Sequence, residues 1–98
     1  MSIGEESQGA RSALAIEGEL TIYRAAELKP VLLEAAAGGA LALDLSQVTE
    51  FDSAGLQLLL MAQRQATLQL LAPSDAVCEV LALLDMTSQF TILEGATA

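Results

Sequence analysis

Leu41, Leu43 and Leu45 alternate with Ala42 and Asp44, and a Leu-rich stretch with helical spacing begins shortly afterwards at Ala54. A period of two followed so closely by a period near 3.6 is the mark of a half-buried strand that feeds a helix. The switch constrains the fold, because a strand and its following helix each have one apolar face and must bury it against another layer. Residues 46–51 read as a turn between the two, and Asp52-Ser53-Ala54-Gly55 lies at the junction. Asp and Ser are preferred at helix N-termini. One hydroxyl, that of Ser53, is therefore expected at the start of the helix, exposed at a sheet edge.

The same alternation recurs on either side. Over residues 13–21, Leu14, Ile16, Gly18 and Leu20 oppose Ala15, Glu17, Glu19 and Thr21, which predicts one strand, or two interrupted by a bulge or turn near Gly18. Leu28, Val31, Leu32, Ala35 and Ala36 then form one helical stripe, ended by Gly38-Gly39. Pro30 falls inside this stripe and has no N–H to donate, so the helix either begins only a few residues earlier or kinks there. Residues 67–72 predict a strand with Leu68 and Leu70 on one face, and Pro73-Ser74-Asp75 supplies its stop and the next N-cap. Val77, Val80, Leu81 and Leu84 make a third helical stripe, and residues 90–93 a last short strand. Strands alternating with helices predict an α/β domain, a mixed β-sheet of about four to five strands covered by α-helices. Residues 1–12 read as a flexible tail and residues 13–98 as the single domain.

A chain of 98 residues supports one core, burying somewhat over ~60% of the surface its unfolded form exposes. Hydrophobic residues make up 53% and aromatic residues 3%, so the core is built of Leu, Ala, Val and Ile, and aromatic stacking on nucleobases is not on offer. Arg11, Arg24, Lys29 and Arg64 face 13 acidic residues, for a net charge of −9. Such a balance repels nucleic-acid backbones and anionic lipid alike; it suits a basic or neutral protein partner, or serves solubility alone. With no His and Cys78 as the one cysteine, there is no internal disulfide and no His–Cys zinc set, and a reducing cytoplasm fits. Neither metal nor cofactor is expected. Cys78, in the run Ala76-Val77-Cys78-Glu79-Val80-Leu81, reads as a small buried hydrophobe. The longest apolar runs, such as 58–62 and 80–84, are far shorter than the roughly 18–20 residues of a membrane span. Residues 1–8 carry Glu5 and Glu6 and lack the basic and apolar regions of a signal peptide. The expectation is a cytoplasmic domain without membrane insertion.

Gly55 needs a reason beyond capping. Within the first helical turn Gly costs roughly 0.5–1 kcal/mol relative to Ala, so either a side chain is not tolerated there or another backbone comes close. Asp44 and Asp52 are both expected toward the carboxyl-end edge of the sheet, where open α/β folds often place sites. Two carboxylates could hold Mg²⁺ or act as an acid and base pair, but the chain has no Walker-type loop and no His, and few cations. The commoner roles are a cap for Asp52 and a local backbone hydrogen bond for Asp44. Ser46 reads as an ordinary turn hydroxyl, and Arg24 and Lys29 as surface groups pairing with acidic neighbours or with a partner's phosphate. On the helix over residues 54–66, Gln57, Arg64 and Gln65 share an arc with Met61, opposite Leu56, Leu59, Ala62 and Ala66. Met61 is thus either an exposed apolar contact or the cover of a neighbouring loop. No base is available to activate Ser53 as a nucleophile, so an enzyme is not expected.

Leu43-Asp44-Leu45-Ser46 followed by Phe51-Asp52-Ser53-Ala54-Gly55-Leu56 resembles the STAS domain of bacterial anti-sigma-factor antagonists, and the resemblance extends over about residues 13–93. It implies that the Ser after the motif Asp, here Ser53, is phosphorylated by a partner serine kinase that brings its own ATP and Mg²⁺. The implied docking surface comprises Asp52, Ser53, Ala54 and Gly55, with Asp44, Gln57 and Met61 around them. The implied function is a non-enzymatic phospho-switch whose protein partner is an anti-sigma-type kinase or a chemotaxis-linked regulator. The run Asp-hydroxyl-Ala-Gly-Leu is also similar to STAS accessory subunits that bind the ATPase of phospholipid-trafficking ABC transporters, which more often carry Thr at the Ser53 position. That is the alternative, and a homodimer stays open under both.

Overall fold

Leu43 and Leu70 are register partners on adjacent parallel strands, and neither has any exposed surface. They mark the centre of the molecule, a computed structural model that describes residues 13–93. The expected tail over residues 1–12 lies outside the described residues. In order, the elements are β1 (Ala13–Ala15), β2 (Gly18–Leu20), α1 (Ala25–Ala36), β3 (Ala40–Asp44), β4 (Val48–Phe51), α2 (Ser53–Gln65), β5 (Thr67–Leu71), α3 (Asp75–Leu83), a 3₁₀ turn (Thr87–Gln89) and β6 (Thr91–Leu93).

The strands form a four-stranded sheet in the order β1-β3-β5-β6 and a two-stranded sheet of β2 and β4. Every pairing among the described strands is parallel; the antiparallel member of a mixed sheet does not occur within residues 13–93. The α/β architecture stands as expected, and Gly18 explains the break over residues 13–21. Ile16 donates its amide to Asp44 O at 3.1 Å, beside β3, whereas Gly18 donates to Gln47 O at 3.0 Å, on the way to β4. Gly18 has φ +82°, which glycine adopts without Cβ strain, and the register slips between Gly18 and Glu19. The chain thereby transfers from one sheet to the other.

Residues 48–51, expected as part of a turn, are a strand. Only Val48 and Phe51 are buried there, with Thr49 and Glu50 exposed between them, so the segment lacks the strict alternation that betrays a strand.

The helical stripes close the core with some shifts at their edges. Leu28, Leu32 and Ala36 are the buried row of α1, and Val31 sits on its flank at 42% exposure. α1 starts at Ala25, shortly before Pro30, and continues past it to Ala36. α1 packs against α2, whose Leu56, Leu58, Leu59 and Ala62 are buried, and α3 packs against β4 through buried Val77 and Leu81. Leu84, expected on that stripe, is exposed because α3 has ended. Asp85 takes a left-handed φ of +58°, and Asp85 N and Met86 N bond back to Ala82 O and Leu81 O. That is a Schellman closure with Asp where Gly is usual. Cys78 also departs from expectation: it follows buried Val77 and the helical turn carries it outward, so it is exposed, its thiol donating to Pro73 O at 3.5 Å.

Candidate functional site

β2 and β4 end level with one another, Leu20 standing in register with Phe51. The chain leaves β4 through Asp52, whose extended backbone (φ −137°, ψ −171°) turns the strand into α2. Asp52 Oδ1 accepts the amides of Ala54 at 2.9 Å and Gly55 at 3.1 Å, and its carbonyl accepts Leu56 N at 3.0 Å. The first turn of a helix leaves its amides without intrahelical acceptors, and a carboxylate at the N-cap satisfies them while facing the positive end of the helix dipole. Oδ2 of the same residue accepts the amide of Ile22 at 3.1 Å. One side chain therefore caps α2 and ties down the loop that follows β2.

Gly55 is what lets the first turn of α2 sit so close over the two strand ends. A Cβ at this position would overlap the carbonyl oxygen of Leu20 and lie 3.0 Å from Cδ1 and Cε1 of Phe51. The close backbone approach expected from the sequence is thus that of β2. Gly55 is buried, so within the implied docking set it shapes the surface from beneath rather than lying on it. Ser53 is the first residue of α2 and is exposed, as is Gln57; Ala54 is half-buried. Met61 is half-buried and packs against the core cluster, so it is not a fully exposed contact. Asp44, half-buried at the end of β3, accepts Ser46 N at 2.9 Å. The backbone and side-chain hydrogen bonds from Ser46 hold its carboxyl below the ordinary value of 3.8, against a smaller opposing effect of burial. Asp44 thus serves its own turn in the four-stranded sheet, while Asp52 serves the junction after β4.

Two residues that sequence reasoning passed over are tied to the junction through Asp52. Ile22 and Tyr23, in the loop after β2, are 62% and 86% exposed. Their backbone is nevertheless held from several directions. Asp52 takes Ile22 N, the Thr21 hydroxyl accepts Tyr23 N at 3.3 Å and donates to Glu19 Oε1 at 3.1 Å, and Arg24 N bonds Thr21 O at 3.0 Å. The Arg24 guanidinium braces the loop further, donating to Glu17 O at 2.6 Å and Glu19 O at 3.0 Å and pairing with Glu27 at 3.2 Å. The result is an anchored loop that presents two large apolar side chains to solvent. Among the described residues no group of three or more His, Cys, Asp or Glu is arranged to hold a metal ion, and no helix is long and apolar enough to cross a membrane.

A family model described as Mlab, STAS domain matches residues 3–94. The chain belongs to the STAS domain family. The structure of the anti-sigma factor antagonist SpoIIAA in its unphosphorylated form is similar, with a TM-score of 0.66 over 83% of this chain and 77% of that chain at 18% identity. At that identity the likeness speaks for the fold. No curated protein matches the chain. Within this STAS domain, the strand–Asp–Ser–helix junction and the Ile22–Tyr23 loop form one continuous corner, joined by Asp52.

Proposed function

We propose that this STAS domain is a non-enzymatic phospho-switch of the anti-sigma-factor-antagonist type, cytoplasmic, that binds a partner serine kinase at the start of α2 and is controlled by phosphorylation of Ser53. The observation that carries the reading is the exposure of Ser53 at the first position of a helix whose amides are already taken. Ala54 N and Gly55 N are held by Asp52, and the Arg24 guanidinium is held by Glu17, Glu19 and Glu27. A phosphate on Ser53 adds about 1.5–2 negative charges beside Asp52 on a chain already at −9. Arg24, the cation of the adjoining loop, is already engaged, and burying the phosphate under a docked partner costs its desolvation. Modification should therefore weaken docking, with the kinase supplying ATP and Mg²⁺.

A second reading rests on the run Asp52-Ser53-Ala54-Gly55-Leu56 itself, which resembles accessory subunits of phospholipid-trafficking transporters. The same corner would then dock on the transporter ATPase without any modification. Titration of a purified anti-sigma-type serine kinase from the same host into wild type, Ser53→Ala and Ser53→Asp separates the two. The switch requires that the kinase bind wild type and Ser53→Ala alike, bind Ser53→Asp more weakly, and leave phosphate on Ser53 when given ATP. Equal affinity for all three together with an unmodified Ser53 would put the transporter reading ahead.

A further inference from the structure

We infer that Ile22 and Tyr23 are the anchor of the docking surface, and that the partner receives them in an apolar pocket with a basic flank. The inference rests on the reading of the Ser53 corner as a docking site and names the residues that give it affinity. Three observations carry it.

The first is exposure combined with restraint. A large side chain in solvent on a loose loop loses its freedom when bound, and that loss offsets much of the contact. The loop after β2 has already lost its freedom, since Asp52, Thr21 and Arg24 hold its backbone. Tyr23 is the chain's one Tyr and is 86% exposed; Tyr is among the residue types enriched at interface hot spots.

The second is charge. Glu19 and Glu50 are register partners on the parallel strands β2 and β4, just before the corner, so the two acidic residues leave the ladder on the same face. Asp52 follows on β4, and Arg24 donates to the backbone carbonyls of Glu17 and Glu19 and pairs its charge with the Glu27 carboxylate, so its ion pair is with neither Glu19 nor Glu50. The flank of the Ile22–Tyr23 patch is thus acidic without internal neutralisation by Arg24, in a chain with net charge −9. A second copy would bring the same acids against it, and an anionic membrane would be repelled. A protein surface with Lys or Arg beside an apolar pocket fits.

The third is position. Ile22 N is bonded to the residue that precedes Ser53, so a partner seating Tyr23 must pass over the start of α2. A phosphate on Ser53 then stands at the mouth of the apolar pocket, whereas the basic flank is engaged by Glu19 and Glu50 on the strands, so the anchor cannot seat without stripping the phosphate of water that no partner charge replaces.

The test places a photo-crosslinking benzoylphenylalanine at position 23 of the full chain in its native host, and at position 83 as a control, since Leu83 is equally exposed on α3. The crosslinked partner is identified by mass spectrometry, purified, and titrated against wild type, Tyr23→Ala, Ile22→Ser and Glu50→Lys. The inference expects a crosslink from position 23 to a peptide carrying Lys or Arg next to apolar residues. It further expects at least tenfold weaker binding for Tyr23→Ala and Ile22→Ser, and weaker, less salt-sensitive binding for Glu50→Lys. Unchanged thermal melts for Tyr23→Ala and Ile22→Ser confirm that folding is intact. No crosslink from position 23, or full affinity in Tyr23→Ala, overturns it. A partner that is not a kinase but loses affinity in Tyr23→Ala leaves the anchor standing and removes the phospho-switch; a kinase that binds Tyr23→Ala unchanged does the reverse.

Discussion

Asp52 and Ile22 are thirty residues apart in sequence, yet the carboxylate of one accepts the amide of the other at 3.1 Å. The bond joins the end of β2 to the start of α2, so the loop that carries Tyr23 and the helix that begins with Ser53 share a single support. Asp52→Ala removes the N-cap, worth about 0.5–2 kcal/mol, and leaves Ile22 N to water. We expect a loss of about 1–3 kcal/mol in urea denaturation, with Asp52→Asn losing less. A loss below a few tenths would show that the cap and the tie are not what hold the corner.

Gly55→Ala sets two effects against each other. Ala is the better helix former by roughly 0.8–1 kcal/mol, but its Cβ would overlap Leu20 O and press on the Phe51 ring. The obstacle includes backbone, which yields little, so overpacking should win and the variant should be destabilised by about 1–3 kcal/mol. A variant more stable than wild type in urea would mean that β2 can withdraw at no cost.

Ser53→Asp should leave folding nearly untouched. A carboxylate at the start of α2 gains about 0.3–1 kcal/mol from the helix dipole and loses a comparable amount beside Asp52. The expected change in denaturation midpoint corresponds to at most about 0.5 kcal/mol. Any larger effect on partner binding then belongs to the interface. Unfolding of the variant at room temperature would instead make Ser53 a structural residue.

Asp44 gives a pH signature. Its folded value lies below the ordinary 3.8, held there mainly by hydrogen bonds from Ser46, so the carboxylate stabilises the fold at pH values above 3.8. That contribution fades as pH falls from there through the lowered folded value. Asp44→Asn should accordingly be less stable than wild type at neutral pH, and the gap should close in acid. A gap of constant size across the whole acid range would contradict this assignment.

The sequence announced the core of this architecture wherever one face alone is buried. Leu41, Leu43 and Leu45, or Leu68 and Leu70, leave a period of two because their neighbours meet solvent or a second layer. Gly55 was legible as a close approach because its helical cost demanded compensation, although the partner atom, Leu20 O, lies outside any local pattern. β4 was hidden because its burial falls on Val48 and Phe51 with two exposed residues between. Ile22 and Tyr23 were missed for the opposite reason: apolar side chains after a strand read as its continuation or as nothing, and only the fold reveals that they stand in solvent. Cys78 shows the limit of composition, since its type is usually buried but its place on the helix is set by Val77 and Leu81.

The parallel pairing throughout residues 13–93 also governs how the chain finds its structure. Val48–Phe51 follows Ala40–Asp44 at once, yet the two do not pair; Ala40 waits for Thr67 and Gly18 for Val48. No hairpin is therefore available among these strands to form early and cheaply, and each ladder must close a long loop before it gains anything. Refolding should be slower than that of a helical bundle of this size. A nascent chain so rich in Leu and Ala spends that interval with apolar surface uncovered, and its net charge of −9 opposes association of neighbouring copies while the sheet is incomplete.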